Sequence, residues 1–199
     1  MKLWTIQPIE WYEKLLTDKV IHSKRKYLEV ENNFLRSYEW MISQMEQKVG
    51  RKPKINSYPI WAWFQYNNSQ NKRPDLRSTG FLPKGTKGVR IEFEKPEEEV
   101  LLSDFNLWAY VLNYWHIADS EKEDDWFDNL LASEGINFID KESYSQKLKQ
   151  IVEQSWDKVL DMDYYREYNS EPFENKPIQA TFWTLSIDEV KKVDFFTAR

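Results

Sequence analysis

YPIWAWFQYNNSQNKRPDLRSTGFLPKGTKGVRIEFE, residues 58–94, is the stretch from which the fold follows. Ile60–Gln65 is aromatic and β-branched with a period of two, which predicts a strand. Its alternation sets Ile60, Ala62 and Phe64 on one face and Trp61, Trp63 and Gln65 on the other. Gly88–Glu94 alternates more cleanly, Val89, Ile91 and Phe93 against Arg90, Glu92 and Glu94, as a strand with one buried face does. Between the two, residues 67–87 hold the Asn, Ser, Pro and Gly that mark a long loop. Loops of that length inside a compact domain are commonly functional.

Working outward, Leu3–Gln7 reads as a strand ending at Pro8, which suits the first turn of a helix. Ile9, Tyr12, Leu15 and Leu16 then form a helical stripe. Residues 21–32 are polar and irregular. A second helix is expected from Asn33 to Lys48, with Phe34, Tyr38, Met41 and Met45 inward and Gly50 and Pro53 stopping it. Val100–Leu102 is a brief strand, after which Ser103 or Asp104 caps a helix carrying Phe105, Trp108, Val111, Leu112 and Trp115. Two further helices are expected at Glu121–Ser133 and Ser143–Asp161, the latter with Tyr144, Leu148, Ile151, Val152, Val159 and Leu160 inward. The chain closes with strands at Gln179–Leu185 and Lys192–Phe196 around a turn at Ser186–Glu189. Strands at both ends with helices between them imply an α+β protein, one domain over residues 1–199. The sheet is expected to be mixed, with the terminal strands as neighbours and at least four helices. A helical portion over about 103–161 is inserted between strands.

Composition narrows the chemistry. The chain has no cysteine and two histidines. Disulfides, thiolate metal sites and a cysteine nucleophile are therefore excluded, and no HExxH motif offers a zinc site, so no metal is expected. The acidic DSEKEDDW lacks the glycine and spacing of a calcium loop and reads as a helix start favoured by the helix dipole. GxSxG and GxxxxGK[ST] are both absent. The opening residues carry carboxylates and no long apolar run, unlike a signal peptide, and nothing later approaches a membrane span. A soluble, cytoplasmic protein is the expectation.

Charge is segregated. The formal net charge is -5, but residues 48–91 hold ten basic residues against Asp75 alone, whereas residues 92–142 hold fifteen acids against three bases. Either these are two solvated faces, or the basic stretch meets phosphate while the acidic one repels stray nucleic acid. Three sets of residues bear on a ligand. In RPDLRSTGFLPKG, Arg73 and Arg77 flank Asp75, with Lys84 beyond. Two guanidinium groups clamp a phosphate or carboxylate, with Asp75 holding one of them in position. The bland alternative is an Asp capping its own turn, with the arginines pairing to the acidic segment. Trp61 and Trp63 are either a second core or a stacking platform. Gln179, Thr181 and Trp183 share one strand face, and Thr5 and Gln7 another, so these look out to solvent or line a cleft.

The ordered set KLWTIQP (2–8), YPIWAWFQY (58–66), RPDLRSTGFLPKG (73–85), EEEVLLSDFNLWAYVLN (97–113) and IQATFWTL (178–185) resembles domain of unknown function 3841 over essentially the whole chain. That resemblance implies a bacterial, cytosolic protein of single-domain size, and it brings no activity and no catalytic residue. A weaker likeness is to ADP-ribosyltransferase-like toxins and phosphotransferases, which open with a strand and then a helix as LWTIQPIEWYEKLL does. The C-terminal catalytic glutamate of that group has no match here, since Glu189 lies past the end of the last long strand.

Three functional readings follow. In the first, a nucleotide or nucleic-acid end is bound, with or without being modified. Arg73, Arg77 and Lys84 then contact phosphate, Trp61 or Trp63 stacks, and Asp75, Gln179 and Thr181 complete the site. In the second, an ADP-ribosyltransferase-like enzyme uses NAD in a cleft between the terminal strands. In the third, a protein-interaction module without a small ligand engages a partner through the acidic segment 119–142. The sequence assigns neither a cofactor nor catalytic residues.

Overall fold

The computed structural model describes residues 1–24, 34–167 and 169–199. Its elements in chain order are β1 (Lys2–Pro8), α1 (Ile9–Asp18), β2 (Val20–Lys24), α2 (Leu35–Lys48), β3 (Ser57–Tyr58), β4 (Ile60–Gln65) and β5 (Lys87–Glu94). There follow β6 (Leu101–Asp104), α3 (Phe105–Leu112), α4 (Glu121–Ser133), α5 (Gln146–Ser155), β7 (Ile178–Phe182), β8 (Thr184–Ser186) and β9 (Val190–Thr197). The fold is α+β; the described residues form five helices and a six-stranded sheet ordered β6-β7-β4-β1-β5-β9 that holds both the first and the last strand. A three-stranded sheet, β3-β2-β8, stands apart from it. The chain divides into two compact units, Met1–Leu102 with Ile178–Arg199, and Ser103–Pro177.

In the first unit, the pairings β7–β4, β4–β1, β1–β5 and β5–β9 are antiparallel. β1 and β7 are not neighbours, because the tryptophan strand β4 lies between them. Gln179–Leu185 is not one strand. It breaks at Trp183, and its second half leaves as β8 to pair with β2 in the smaller sheet. Residues 21–24, expected to be irregular, are most of β2: Ile21 is buried and pairs with Leu185, and only its polar flanks made the segment read as loop. The rest of that expected irregular segment, and Asn33 at the start of the second helix, lie outside the described residues.

Register fixes two faces of the large sheet. Leu3, Thr5 and Gln7 stand beside Phe93, Ile91 and Val89, and Ala62 pairs with Ala180. This face carries the main core, with Leu15 of α1 and Ile21 of β2 in it, and Trp11 and Tyr12 of α1 packed against it. Leu15 is fully buried but Leu16 is 42% exposed, so the α1 stripe is narrower than its sequence suggests. The opposite face holds Trp4, Ile6, Trp61, Trp63, Arg90, Gln179 and Thr181. There Met41 and Met45 of α2 are buried, Tyr38 meets Trp61 edge-on at 6.0 Å, and the Thr181 hydroxyl approaches the Met41 sulfur at 3.8 Å. Burying aromatic and thioether groups of this size is the main favourable term for such a layer.

The second unit is built on α3, α4 and α5. Asp104 caps α3, accepting from the backbone N–H groups of Asn106 and Leu107 at 2.9 and 3.2 Å. Leu107, Trp108 and Val111 are buried, whereas Phe105 is 41% exposed, so the inward stripe starts two residues later than expected. Trp115 lies beyond the end of the helix. The last helix is shorter than 143–161: α5 ends at Ser155 and a 3-10 turn continues through Trp156–Val159. That turn buries Trp156, whose indole N–H donates to Trp115 O at 2.8 Å. Lys176 is fully buried, 3.3 Å from Asp104 Oδ2, and it also donates to Tyr164 O. Pairing of this kind is what makes a buried ammonium tolerable.

Candidate functional site

All the basic loop residues singled out from sequence lie in the connection from β4 to β5. The loop begins as a tight hairpin, Tyr66 N–H donating to Lys72 O at 2.8 Å and Asn67 N–H to Asn71 O at 3.2 Å. It is then tied down by Arg90, by Leu82, and by Gly85 and Thr86, which exchange backbone hydrogen bonds with Ala198 at 2.9 Å. Arg90, expected on a solvent face, is buried instead, because its guanidinium pairs with Asp194 at 2.6 Å and donates to Pro74 O at 2.5 Å. Leu82 packs on Gly88, where an added Cβ would stand 2.6 Å from Leu82 Cδ1 and 2.7 Å from Phe196. Only glycine admits that approach. The Arg90 side chain therefore holds Pro74 on the Trp63 face of the sheet.

Arg77 is the best-defined group on it. Asp75 accepts from the Arg77 backbone N–H at 2.9 Å, from Nε at 2.9 Å and from Nη2 at 2.6 Å. Those hydrogen bonds pull the Asp75 carboxyl down to about 2, so it stays ionised across the working range. The turn-capping role and the arginine-holding role proposed as alternatives are thus both carried by one carboxylate. Asp75 uses the Nε edge of the guanidinium and leaves Nη1 and one Nη2 hydrogen outward on a side chain 79% exposed. Arg73 and Lys84 are also exposed.

On the sheet beneath, Trp61 and Trp63 are half-buried. Trp61 is engaged by Tyr38, while Trp63 meets Tyr66 edge-on at 5.0 Å and Tyr66 leans on Phe81 at 5.4 Å. A bulge after Trp63 turns Gln65 inward and buries it fully, ending the expected alternation. Gln179 stands opposite Trp63 in register. Its Oε1 is buried and has no hydrogen-bond partner among the described residues. Thr181 is fully buried and its hydroxyl donates to Leu101 O at 3.2 Å, which leaves it no surface for a ligand. Trp61, Trp63, Gln179 and Thr181 therefore share one face of the sheet by register, and Thr181 is buried in its packing.

The other face has a feature that sequence reading missed. A cavity of about 430 Å³ opens between α1 and the adjoining ends of β1 and β4. Gln7, Pro8, Trp11, Ser23, Pro59 and Ile60 line it, with Trp61 and the charged Glu10 and Lys14. Its signal in the sequence is the polar strand face of Thr5 and Gln7, which Trp11 and Lys14 continue one helical turn on.

The NAD-using reading invokes a cleft between the terminal strands; in the sheet β4 lies between β1 and β7. Glu189 is spent on structure: it accepts from Lys95 at 2.7 Å and from Ser186 N–H at 2.8 Å. Among the described residues no three His, Cys, Asp or Glu side chains gather as metal ligands, and no helix is long and apolar enough to cross a membrane.

The chain belongs to the family described as domain of unknown function (DUF3841), whose model matches residues 2–191. No curated protein and no solved structure matches it.

Proposed function

We propose that this DUF3841 protein binds a nucleotide, free or at the end of a nucleic acid, on the loop face of its six-stranded sheet. Arg77 grips a phosphate through the outward edge of its guanidinium, Arg73 and Lys84 add positive charge, and Trp63 supplies a ring against which a base stacks. The observation that carries the reading is the Asp75–Arg77 pair. An anchored carboxylate holds the guanidinium by one edge and presents the other, so the ordering cost of a bidentate phosphate contact is met before the ligand arrives. Loop tethering through Arg90 and Gly88 supports this, as does the orphaned Gln179 acceptor beside Trp63. An unpaired buried acceptor costs roughly 1–3 kcal/mol, which a base N–H would recover.

The test is a thermal-shift screen of nucleoside mono-, di- and triphosphates and of an oligonucleotide with and without a 5′-phosphate, at low and high salt. The proposal predicts a rise in melting temperature that depends on the phosphate and shrinks with salt. No response across the panel contradicts it.

A further inference from the structure

We infer a second ligand site on the opposite face of the same sheet: the cavity under α1 takes a flat, uncharged nitrogen heterocycle that offers an N–H to Gln7. This site stands independently of the loop reading. Its volume of about 430 Å³ lies within the span usual for small-molecule pockets. Pro8, Trp11, Pro59 and Ile60 give it rigid apolar walls, and flat rings fill such slots with little entropy to lose.

The polar end is set by a relay. The Thr5 hydroxyl donates to Trp61 O at 2.9 Å, so its hydrogen is committed and it can only accept from Gln7. The nitrogen of the Gln7 amide therefore faces Thr5, at 2.9 Å, which leaves Oε1 as the acceptor of a side chain lining the cavity. Glu10 and Lys14 bring opposite charges, and the Lys14 ammonium is already 2.5 Å from Asp18. No net positive field remains to hold a phosphate, and a buried anion without a partner is costly. A neutral ring with an N–H donor matches the site; an anion or a saturated ring does not.

The experiment follows the indole N–H resonances of the protein by NMR, with that of Trp11 identified by Trp11→Phe, while adenosine is added. Adenosine should shift the Trp11 signal to saturation. N6,N6-dimethyladenosine, stripped of its exocyclic N–H, should bind roughly threefold to tenfold more weakly, the usual worth of one hydrogen bond. Gln7→Ala should lose the same factor at an unchanged melting temperature. The dimethyl comparison uses only the native chain and survives a variant that fails to fold. Arg77→Ala should leave adenosine binding intact, so failure here and failure of the loop reading are separable. The inference falls if adenosine leaves Trp11 unmoved at millimolar concentration. It also falls if the dimethylated form binds equally well, or if cyclohexanol binds as tightly as adenosine.

Discussion

At the level of single residues, position decided what side-chain character could not. The helical stripe predicts Trp108 as core, and it is buried at 5% exposure. Trp108→Ala should lower stability by roughly 3–5 kcal/mol in denaturant titration, as large-to-small aromatic changes in cores do. A loss under about 1 kcal/mol would mean that its face is not packed. Lys19 is the opposite case, a residue whose sequence announces nothing. It ends α1 at φ 64°, ψ -31°, with its N–H on Leu15 O and its own carbonyl accepting from Ile187 N–H. That left-handed backbone is uncomfortable for a side chain with a Cβ and easy for glycine. Lys19→Gly should therefore stabilise the fold by about 1 kcal/mol, against the usual cost of introducing glycine. A lowered melting temperature would show that the side chain itself matters.

Elements were legible where periodicity or capping was local. β4 and α4 fall at the boundaries their sequences predict, and Asp104 is the cap that the chemistry asks for. They were illegible where a distant partner decides. β2 exists because β8 and β3 flank it, and the split of residues 179–185 follows from which sheet each half joins. α4 also carries a pH-sensitive contact. His116 stacks on Phe127 at 4.6 Å, its Nδ1 buried without a partner among the described residues and its Nε2 3.7 Å from Glu123. Burial holds its imidazole below the ordinary value of 6.5; Glu123, Asp124 and Asp119 oppose that shift, and Lys158 assists it. The unfolded chain therefore binds this proton more readily than the folded one, and stability is lost as pH falls below 6.5. Melting temperature measured from pH 7.5 to 5 should decline, and His116→Gln should flatten the decline. Identical slopes in the two proteins would remove His116 from the account.

Across the whole molecule, the α+β class and a sheet containing both chain ends were readable, because apolar strands at the two ends of a sequence have few other ways to hide an apolar face. Strand order was not readable, and it separates the two candidate sites. Alternation in β1 and β4 sends Gln7 and Ile60 toward α1 and Trp63 to the opposite face, where Gln179 of β7 stands opposite it, so neighbouring residues in sequence serve opposite faces. The central claim is that Arg77, held by Asp75, is a pre-set phosphate fork and not scaffolding. The most direct test is isothermal titration of pyrophosphate and of a nucleoside diphosphate into the native protein, Arg77→Lys and Arg77→Ala, with melting temperatures recorded alongside. Arg77→Lys keeps the charge and loses the planar fork, so affinity should fall for both ligands, and further in Arg77→Ala, at unchanged melting temperatures. Native-like binding by Arg77→Lys, or a melting temperature several degrees lower in Arg77→Ala whose folded fraction binds normally, would contradict the claim.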